Sequence, residues 1–575
     1  MKKKWHIHTP DRESVKAISS TLKCSPLTAS VLVNRKINSV DCAKAFLNPS
    51  LKDLRPPFSF IDMDVAVRRI YKAITSSEKI LILGDYDADG ITATAVLVEF
   101  FNYIKSDVSY YIPHRIKEGY GLKPEHITNY MVPDNVNLII TVDCGSSNHK
   151  SVKIAQEANI DVIITDHHNI SPPFPEAVAV INPKRTDCTS DLNDLAGVGV
   201  AFYLVISLRK YLRDKNFWLH KSEPNLKNLC DLVALGTVAD MVPLRDENRI
   251  FVKTGLDVMG STPRPGIDAL MKVSGVEKSE VSAGDIAFKL APRLNAAGRI
   301  DHAKTAVELL LTKDRRSAIR IASLLHEMNE TRKGIEGEII AEIEKFLKEN
   351  PEILEQKALV LSDSFSKNGW HEGVLGIVAS AFVKKYFRPV ILISVKNGIG
   401  KGSGRSIPAV DLYNIISECS MDLESFGGHK MAAGLTIKEN RIKPFQEKIK
   451  KTLCKICKPE HFIPMLFIDY LLDFDNISEK LINELKILEP HGLSNEEPLF
   501  MAADVRAFSS KIVGEKHRKM LLKQFGSNKD RLYNAINFNI DLSKPSAERF
   551  DQIAYKLQWN RWNGTKTVQL IVEET

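Results

Sequence analysis

The 575-residue chain is poor in cysteine and aromatics, with eight Cys and 7% Phe, Trp and Tyr, and it contains no tract of simple composition. The cysteines, at 24, 42, 144, 188, 230, 419, 454 and 457, form no paired framework, which excludes a disulfide-built scaffold and suits a reducing cytoplasm. Only Cys454-Lys-Ile-Cys457 has metal-type spacing, and without a second pair it reads as one face of a helix. No apolar run approaches the ~18 residues of a membrane helix. The basic start "MKKKWHIHTPDRESVK" leads into no apolar stretch, so neither a span nor a secretory signal is expected and the location expected is cytoplasmic.

What remains is the composition of an ordinary globular protein, 44% hydrophobic and 26% charged, too long for one core. The formal net charge is +8, unevenly spread. Residues 501–570 hold 13 Lys and Arg against 6 Asp and Glu, while 451–500 hold 5 against 9. A basic C-terminal module could meet a polyanion.

Residues 1–50 read as short helices around turns, a small N-terminal cap. From about 60 to 240, apolar strand-length runs such as "KILILG", "VNLIITV" and "DVIIT" alternate with helical segments. That alternation predicts an α/β fold with a parallel sheet covered on both faces, and the segment 51–302 is assigned to it. Residues 303–355 carry proline-free helical spacing to about 350 and read as long connecting helices. A second α/β unit is expected over 356–458, with strands "KALVLSD" and "RPVILISV". Over 459–575 the pattern approaches period two, as in "RLYNAINFNI", and points to a small β-barrel.

Ligands collect beyond the carboxyl ends of parallel strands. Three acidic motifs fall there: Asp85-Tyr-Asp87-Ala-Asp89 after "KILILG", Asp143 after "LIITV", and Asp166-His167-His168 after "DVIIT". A fourth motif is Asp240, which ends the apolar helical run "DLVALGTVA". The first motif begins like an EF-hand calcium loop, but position twelve is Val96 and a strand rather than a helix leads in. A lone Asp at a strand end is commonly a turn or helix cap. Several on one sheet edge would repel one another, and divalent cations are the natural counterweight. Oxygen-rich ligands with one or two imidazoles suit Mn2+ or Mg2+ better than a closed zinc site, and two such ions can drive phosphoryl transfer.

In order, "GDYDADG", "VDCGSS", "TDHH" and "GTVADMVPL" resemble the four motifs of the DHH phosphoesterase superfamily. "GWHEGVLGIVAS", "GSGRS" and "GGHKMAAG" resemble its companion DHHA1-type domain, and "LAPRLNAAGR" with the tail ending "WNRWNG" is similar to the RecJ exonucleases. The resemblance implies a DHH catalytic domain, a DHHA1-type substrate-binding domain and a C-terminal OB-like nucleic-acid-binding barrel. It implies a metal-dependent 5′→3′ exonuclease degrading single-stranded DNA to mononucleotides, in recombination and repair. Asp85, Asp87, Asp143, His167 and Asp240 would hold two divalent ions, Mn2+ or Mg2+, with Asp143 bridging. His168 would contact the scissile phosphate or assist proton transfer, and Asp89 would support the ligands. Arg293, Asn295, Arg299, His371, Ser403, Arg405 and His429 would bind substrate, the first arginine pair from a loop-like stretch. Backbone amides freed by Gly402 and Gly404 would complete an anion cradle around Arg405. Trp559 and Trp562 would stack bases, although aromatics three apart on a strand face opposite sides and one of them packs the core. Single-stranded DNA, a single-strand-binding protein and a helicase are the implied partners, with a monomeric chain and no membrane. One position departs from the smaller superfamily members: Leu81 stands where they carry a His ligand.

Three alternatives remain open at this point. A shorter-substrate DHH phosphodiesterase would act on oligoribonucleotides or cyclic dinucleotides and need no polymer-binding tail. A haloacid-dehalogenase-type reading of Asp87-Ala-Asp-Gly-Ile-Thr92 would use an aspartyl-phosphate and leave the Asp-His-His motif unexplained. A binding scaffold without turnover would not need a complete ligand set.

Overall fold

A computed structural model describes residues 3–514, 516–526, 531–540, 547–562 and 565–575, with the side chains of 561, 562 and 565 outside the description. The chain divides into two compact units: Leu54–Val242 with Phe251–Pro464, and Lys3–Asp53 with Pro243–Ile250 and Met465–Thr575.

In the first unit, five parallel strands are β1 (Ile80–Gly84), β2 (Val108–Tyr111), β3 (Leu138–Val142), β4 (Asp161–Thr165) and β5 (Ala179–Ile181). Their order is β2-β1-β3-β4-β5. Every residue of β1 and β3 is buried, which is why both read as uninterrupted apolar runs. The chain winds one way from β1 to β2 and the other way from β3 onward. That reversal opens a crevice beyond the carboxyl ends of β1 and β3, where Asp85 and Asp143 stand.

The helices that frame this crevice are α1 (Ala88–Tyr103), α2 (Gly197–Asp214), α3 (Cys230–Ala239) and α4 (Ala291–Ile300). The connecting segment contains a short helix, Lys304–Leu311, and then α5 (Arg315–Glu349), 35 residues long and capped by Asp314, which accepts from the Ser317 amide. After it come α6 (Leu375–Tyr386) and a second sheet: β6 (Leu359–Ser362), β7 (Val390–Lys396), β8 (Ile399–Arg405), β9 (Leu423–His429) and β10 (Ala432–Lys438). Its order is β9-β10-β8-β7-β6, antiparallel except for β6 with β7.

Two local expectations are corrected here. The stretch holding Arg293, Asn295 and Arg299 is not a loop but helix α4: Pro292 sits in its first turn, where the missing N–H costs nothing, and alanines fill the body. The glycine-rich 399–405 is strand β8, paired with β7 on one side and β10 on the other.

In the second unit, Lys4–Ile7 runs parallel to β11 (Met465–Ile468). β12 (Tyr470–Leu471) pairs with β13 (Phe500–Val513), which is followed by β14 (His517–Gln524), β15 (Tyr533–Asn537), β16 (Arg549–Trp562) and β17 (Thr565–Glu574). Pairing runs β13-β14-β15-β17-β16 and returns to β13, closing a five-stranded barrel with one parallel pair, β15 with β17. That closed order is the oligonucleotide-binding arrangement expected of the tail. The expected separate cap at 1–50 differs in one respect. Its helices form, but Ile18, Leu27, Val31 and Leu32 share one core with Leu472, Val505, Met520, Leu522 and Tyr555. Helix Pro26–Asn34 is buried from Leu27 through Val33 and cannot stand as a solvated cap.

Arg249 locks this unit from inside. Only 1% exposed, it stacks 3.7 Å over the Phe46 ring and donates to the carbonyls of Phe46 (2.7 Å), Leu488 (3.1 Å), Glu489 (2.9 Å) and Pro490 (3.2 Å). Arg249→Met keeps the volume and orphans carbonyls in a dry site, a loss of about 3 kcal/mol. Hydrogen exchange then reads about 10²-fold faster opening in β13–β17 with unchanged protection in β1–β5; equal protection in the variant barrel would show that Arg249 is not the lock.

Candidate metal centre and substrate cleft

Four segments bring their carboxylates and imidazoles to the β1/β3 crevice. Asp85 ends β1 and is buried, with its Oδ1 lacking any hydrogen-bond partner among the described residues. Asp87 caps α1, its Oδ1 accepting from the Asp89 (3.0 Å) and Gly90 (3.2 Å) amides. Asp89 lies inside α1 but accepts from the Gly197 (2.7 Å) and Val198 (2.8 Å) amides at the start of α2. The helix N-terminus thereby holds a carboxylate that burial, and then Asp87, push up to about 7. Asp143 follows β3 in a left-handed backbone conformation, φ 58°, which Asp tolerates better than most residues. Its amide donates to the Thr165 carbonyl at 3.0 Å, fixing the turn to the neighbouring strand. Gly197 leaves the room this carboxylate needs, since a Cβ there would come within 2.6 Å of Asp143 Oδ1.

His167 and Asp240 close the group. His167 Nε2 lies 3.1 Å from Asp143 Oδ1, 3.6 Å from Asp240 Oδ2 and 3.8 Å from Asp89 Oδ2, yet has no hydrogen-bond partner among the described residues. Burial, and then the neighbouring His168, hold His167 down to about 3, so it is a neutral imidazole at any ordinary pH. Burial raises the carboxyl groups of Asp85, Asp143 and Asp240 well above the usual range, with neighbouring Asp charges adding to the effect. Three ligand sets lie within metal-binding reach: Asp85, Asp87 and Asp143; Asp89, His167 and Asp240; and Asp143, His167 and His168. Buried acceptors without donors, aimed at one another, are the signature of a cation site. The residues fit Mn2+ or Mg2+, with Asp143 common to two sets. Leu81 is packed in the apolar layer with Leu83 and Ile139, so β1 offers no imidazole.

His168 has a different setting. Its Nδ1 lies 2.8 Å from Asp166 Oδ1, and Asp166 also accepts from the amides of Ser146, His167 and His168. Burial alone would lower His168; the bond and charge of Asp166 override it and push the imidazole up to about 9. Asp166 itself is held well below the carboxylate range against its own burial. Tyr120 donates to the Asp143 carbonyl at 2.9 Å and lies 3.1 Å from His168 Nδ1.

The crevice opens into a cleft of about 1040 Å³ shared with the second sheet. His168, Ser403 and His429 line it, and His429 stacks on His168 at 6.1 Å between centroids. Along β8, Lys401, Ser403 and Arg405 take one face, while Gly400, Gly402 and Gly404 take the other. A Cβ on any of the three glycines would meet Ile393, Leu435 or Leu412 within 2.8 Å. The expected cradle of free glycine amides is therefore corrected: β8 is paired on both edges, and the glycines serve apolar packing beneath its cationic face. Arg405 Nη1 donates to the Gly404 carbonyl (2.8 Å) and the Ser403 hydroxyl (3.3 Å). Arg299 donates to the Gly373 carbonyl at 2.9 Å; burial, then the charges of Arg115 and Arg405, lower it to about 9.

Other expected substrate residues are placed elsewhere. Arg293 is buried and donates to the Lys289 carbonyl (2.6 Å) and His326 Nδ1 (3.2 Å), tying its helix to α5. His371 Nδ1 accepts from the Gly373 amide at 3.1 Å, bracing the turn that puts Glu372 and Gly373 in the cleft wall. Asn295 Oδ1 accepts from the Ala88 amide at 2.8 Å. Trp559 is half-buried against the barrel core with Lys566 Nζ 3.9 Å from its ring centroid, and the Trp562 side chain lies outside the described residues. Sequence reasoning missed Arg115, which lies 4.7 Å over the Tyr86 ring in the cleft, and Tyr120. Both sit in "PHRIKEGYG", a turn with no motif to mark it.

Three domain families match in the order of the chain: the DHH family N-terminal domain over residues 79–237, the DHHA1 domain over 355–455 and the RecJ OB domain over 468–574. The single-stranded-DNA-specific exonuclease RecJ of Bacillus subtilis (strain 168) is 35% identical over 579 residues, covering 100% of this chain and 71% of that protein. RecJ of Escherichia coli (strain K12) is 34% identical, covering 99% of both chains. Among solved structures, RecJ of Thermus thermophilus in complex with Mn2+ superposes with a TM-score of 0.82 at 28% identity, covering 99% of this chain and 79% of that one. With identity sustained from end to end and the acidic crevice in place, the chain belongs to the RecJ family of single-stranded-DNA-specific exonucleases.

Proposed function

We propose that the crevice is the active centre of a metal-dependent exonuclease that hydrolyses single-stranded DNA. The observation that carries this reading is the pair of buried, donor-less Oδ1 atoms of Asp85 and Asp143, the latter 3.1 Å from His167 Nε2, which itself has no hydrogen-bond partner among the described residues. Asp85, Asp87, Asp143, His167 and Asp240 would hold two divalent ions, with Asp89 supporting them through α2. Bound there, Mn2+ or Mg2+ supplies charge neutralisation at the phosphate and an activated water. The chain's own residues do the rest. Asp166 fixes His168 as an imidazolium with Nε2 free, placed to steady the scissile phosphate and give a proton to the departing oxygen. His429 stacks on the same ring from the second sheet and limits its swing. Ser403 and Arg115 line the cleft, and the charges of Arg299 and Arg405 act within reach of Arg115, a concentration of positive charge suited to a terminal phosphate, which favours digestion from the 5′ end to mononucleotides. The five-stranded barrel supplies an oligonucleotide-binding module, and a long strand needs one where a dinucleotide would not. Action in recombination and repair in the cytoplasm, as a monomer beside a single-strand-binding protein and a helicase, completes the proposal. No described helix is long and apolar enough to cross a membrane.

The deciding assay uses end-labelled single-stranded and duplex DNA of equal length, a Mn2+ titration and product sizing. Mononucleotides released from the single strand alone, with turnover abolished by chelator, are expected; release only from substrates of a few nucleotides would instead identify a short-oligonucleotide phosphodiesterase. Asp143→Asn removes the carboxylate common to two ligand sets and should lower kcat by at least about 10³-fold while DNA binding persists; a variant with substantial turnover would strip Asp143 of the bridging role. Arg405→Ala should weaken single-strand binding and reduce the slope of log K against log[salt] by about 1. An unchanged slope would place Arg405 away from the phosphates.

A further inference from the structure

Among the residues of "LAPRLNAAGR", Asn295 and Gly298 touch the metal-binding turn rather than the open cleft. The first amides of α1 are each accounted for: Asp87 Oδ1 takes those of Asp89 and Gly90, and the Asp87 carbonyl takes that of Ile91 at 2.8 Å. The amide of Ala88, a residue only 1% exposed, is left for a partner outside the turn, and Asn295 Oδ1 accepts it at 2.8 Å. One helical turn on, Gly298 faces the same loop from α4: a Cβ there would stand 2.6 Å from the Tyr86 carbonyl oxygen. The next residue, Arg299, bonds the Gly373 carbonyl. Neither Asn295 nor Gly298 lines the cleft. The turn they press on carries Asp85 and Asp87, and β1 has no His ligand because Leu81 is buried in the sheet core.

We infer that Asn295 is a positioning residue for the metal-binding turn, with Gly298 admitting the Tyr86 carbonyl, and not a substrate-binding residue. Helix α4 is a brace that sets the separation of the Asp85 and Asp87 carboxylates for the ion held by Asp85, Asp87 and Asp143. The inference rests on the metal-centre reading above. An isolated turn with two carboxylates close together would relax outward, because the two α1 amides on Asp87 hold only one of the pair against their repulsion. The Ala88–Asn295 bond resists that relaxation before any ion arrives. It therefore acts on ion affinity, where partners behind the ligands typically contribute 10–100-fold.

The test is direct Mn2+ binding to the full chain, followed by electron paramagnetic resonance of the free ion, alongside KM for single-stranded DNA at saturating Mn2+. Asn295→Leu should weaken the tighter or the weaker Mn2+ step by about 10-fold, raise the Mn2+ needed for half-maximal turnover equally, and leave KM within twofold. Asn295→Asp, which keeps an acceptor oxygen at the same place, should bind Mn2+ at least as well as the unaltered chain. Gly298→Ala should reproduce the Leu phenotype by displacing the turn, giving a second route should the Leu variant fold poorly. Wild-type Mn2+ affinity in both Asn295→Leu and Gly298→Ala overturns the bracing role. So does a raised KM with unchanged Mn2+ affinity, which would return Asn295 to the substrate. Absence of Mn2+ binding to the unaltered chain would instead overturn the metal-centre reading itself.

Discussion

The mutual repulsion of buried carboxylates at the β1/β3 crevice is the constraint around which the first unit is organised. Asp85, Asp89 and Asp143 are each nearly inaccessible to water, and burial, then the charges of neighbouring carboxylates, raises the proton affinity of all three. Such a group is stable only if protonated, hydrogen-bonded or paired with cations. The molecule uses the second remedy sparingly. Asp89 receives two α2 amides and Asp87 receives two α1 amides, whereas the Oδ1 atoms of Asp85 and Asp143 receive none. The remaining demand is left to divalent ions, and the unfavourable charge density is what gives the site its affinity for them.

This economy explains the covalent architecture around the site. The clustered carboxylates and imidazoles come from the ends of β1, β3 and β4 and from the end of α3, so the packing of helices on the sheet must be complete before the cluster exists. Small residues sit where backbone and carboxylate must approach: Gly197 beneath Asp143, and the alternating glycines of β8 beneath the cleft's cationic face. The same alternation that packs Gly400, Gly402 and Gly404 against apolar side chains turns Lys401, Ser403 and Arg405 the other way. A cationic surface is thereby built from side chains on a strand paired along both edges, which holds position better than a loop of free amides would.

The parallel sheet and its acidic edge were legible in the sequence because fully buried strands leave unbroken apolar runs and their polar ends stand out sharply. The barrel was legible from period-two alternation. What escaped was set by contacts distant in sequence. That residues 3–53 fold onto the barrel core depends on partners more than 400 positions away, which no local pattern records. Gly402 and Gly404 read as exposing amides for an anion cradle because composition does not distinguish glycine that frees backbone from glycine needed for close packing. The helix through Arg293 and Arg299 was obscured by a proline and a glycine, one harmless in the first turn and the other required by the Tyr86 carbonyl. Arg115 and Tyr120 lie in a turn with no periodicity, and only the folded chain places them in the cleft.

The adjacent pair His167 and His168 shows how far local surroundings divide identical side chains. Burial holds the first near 3, whereas Asp166 lifts the second to about 9, a difference set over one peptide bond. A ligand must be neutral and offer a lone pair, while a group that steadies a phosphate and donates to a leaving oxygen must carry a proton. Asp166 makes this division possible: the bond and charge of His168, and then Ser146, keep it ionised against its own burial, and its bond to Nδ1 orients His168. The Asp-His-His run thus holds three different electrostatic environments in three consecutive positions. Its strand-end turn supplies amides to the Asp carboxylate, and the buried first imidazole and the cleft-facing second one follow from successive residues pointing to different sides of that turn.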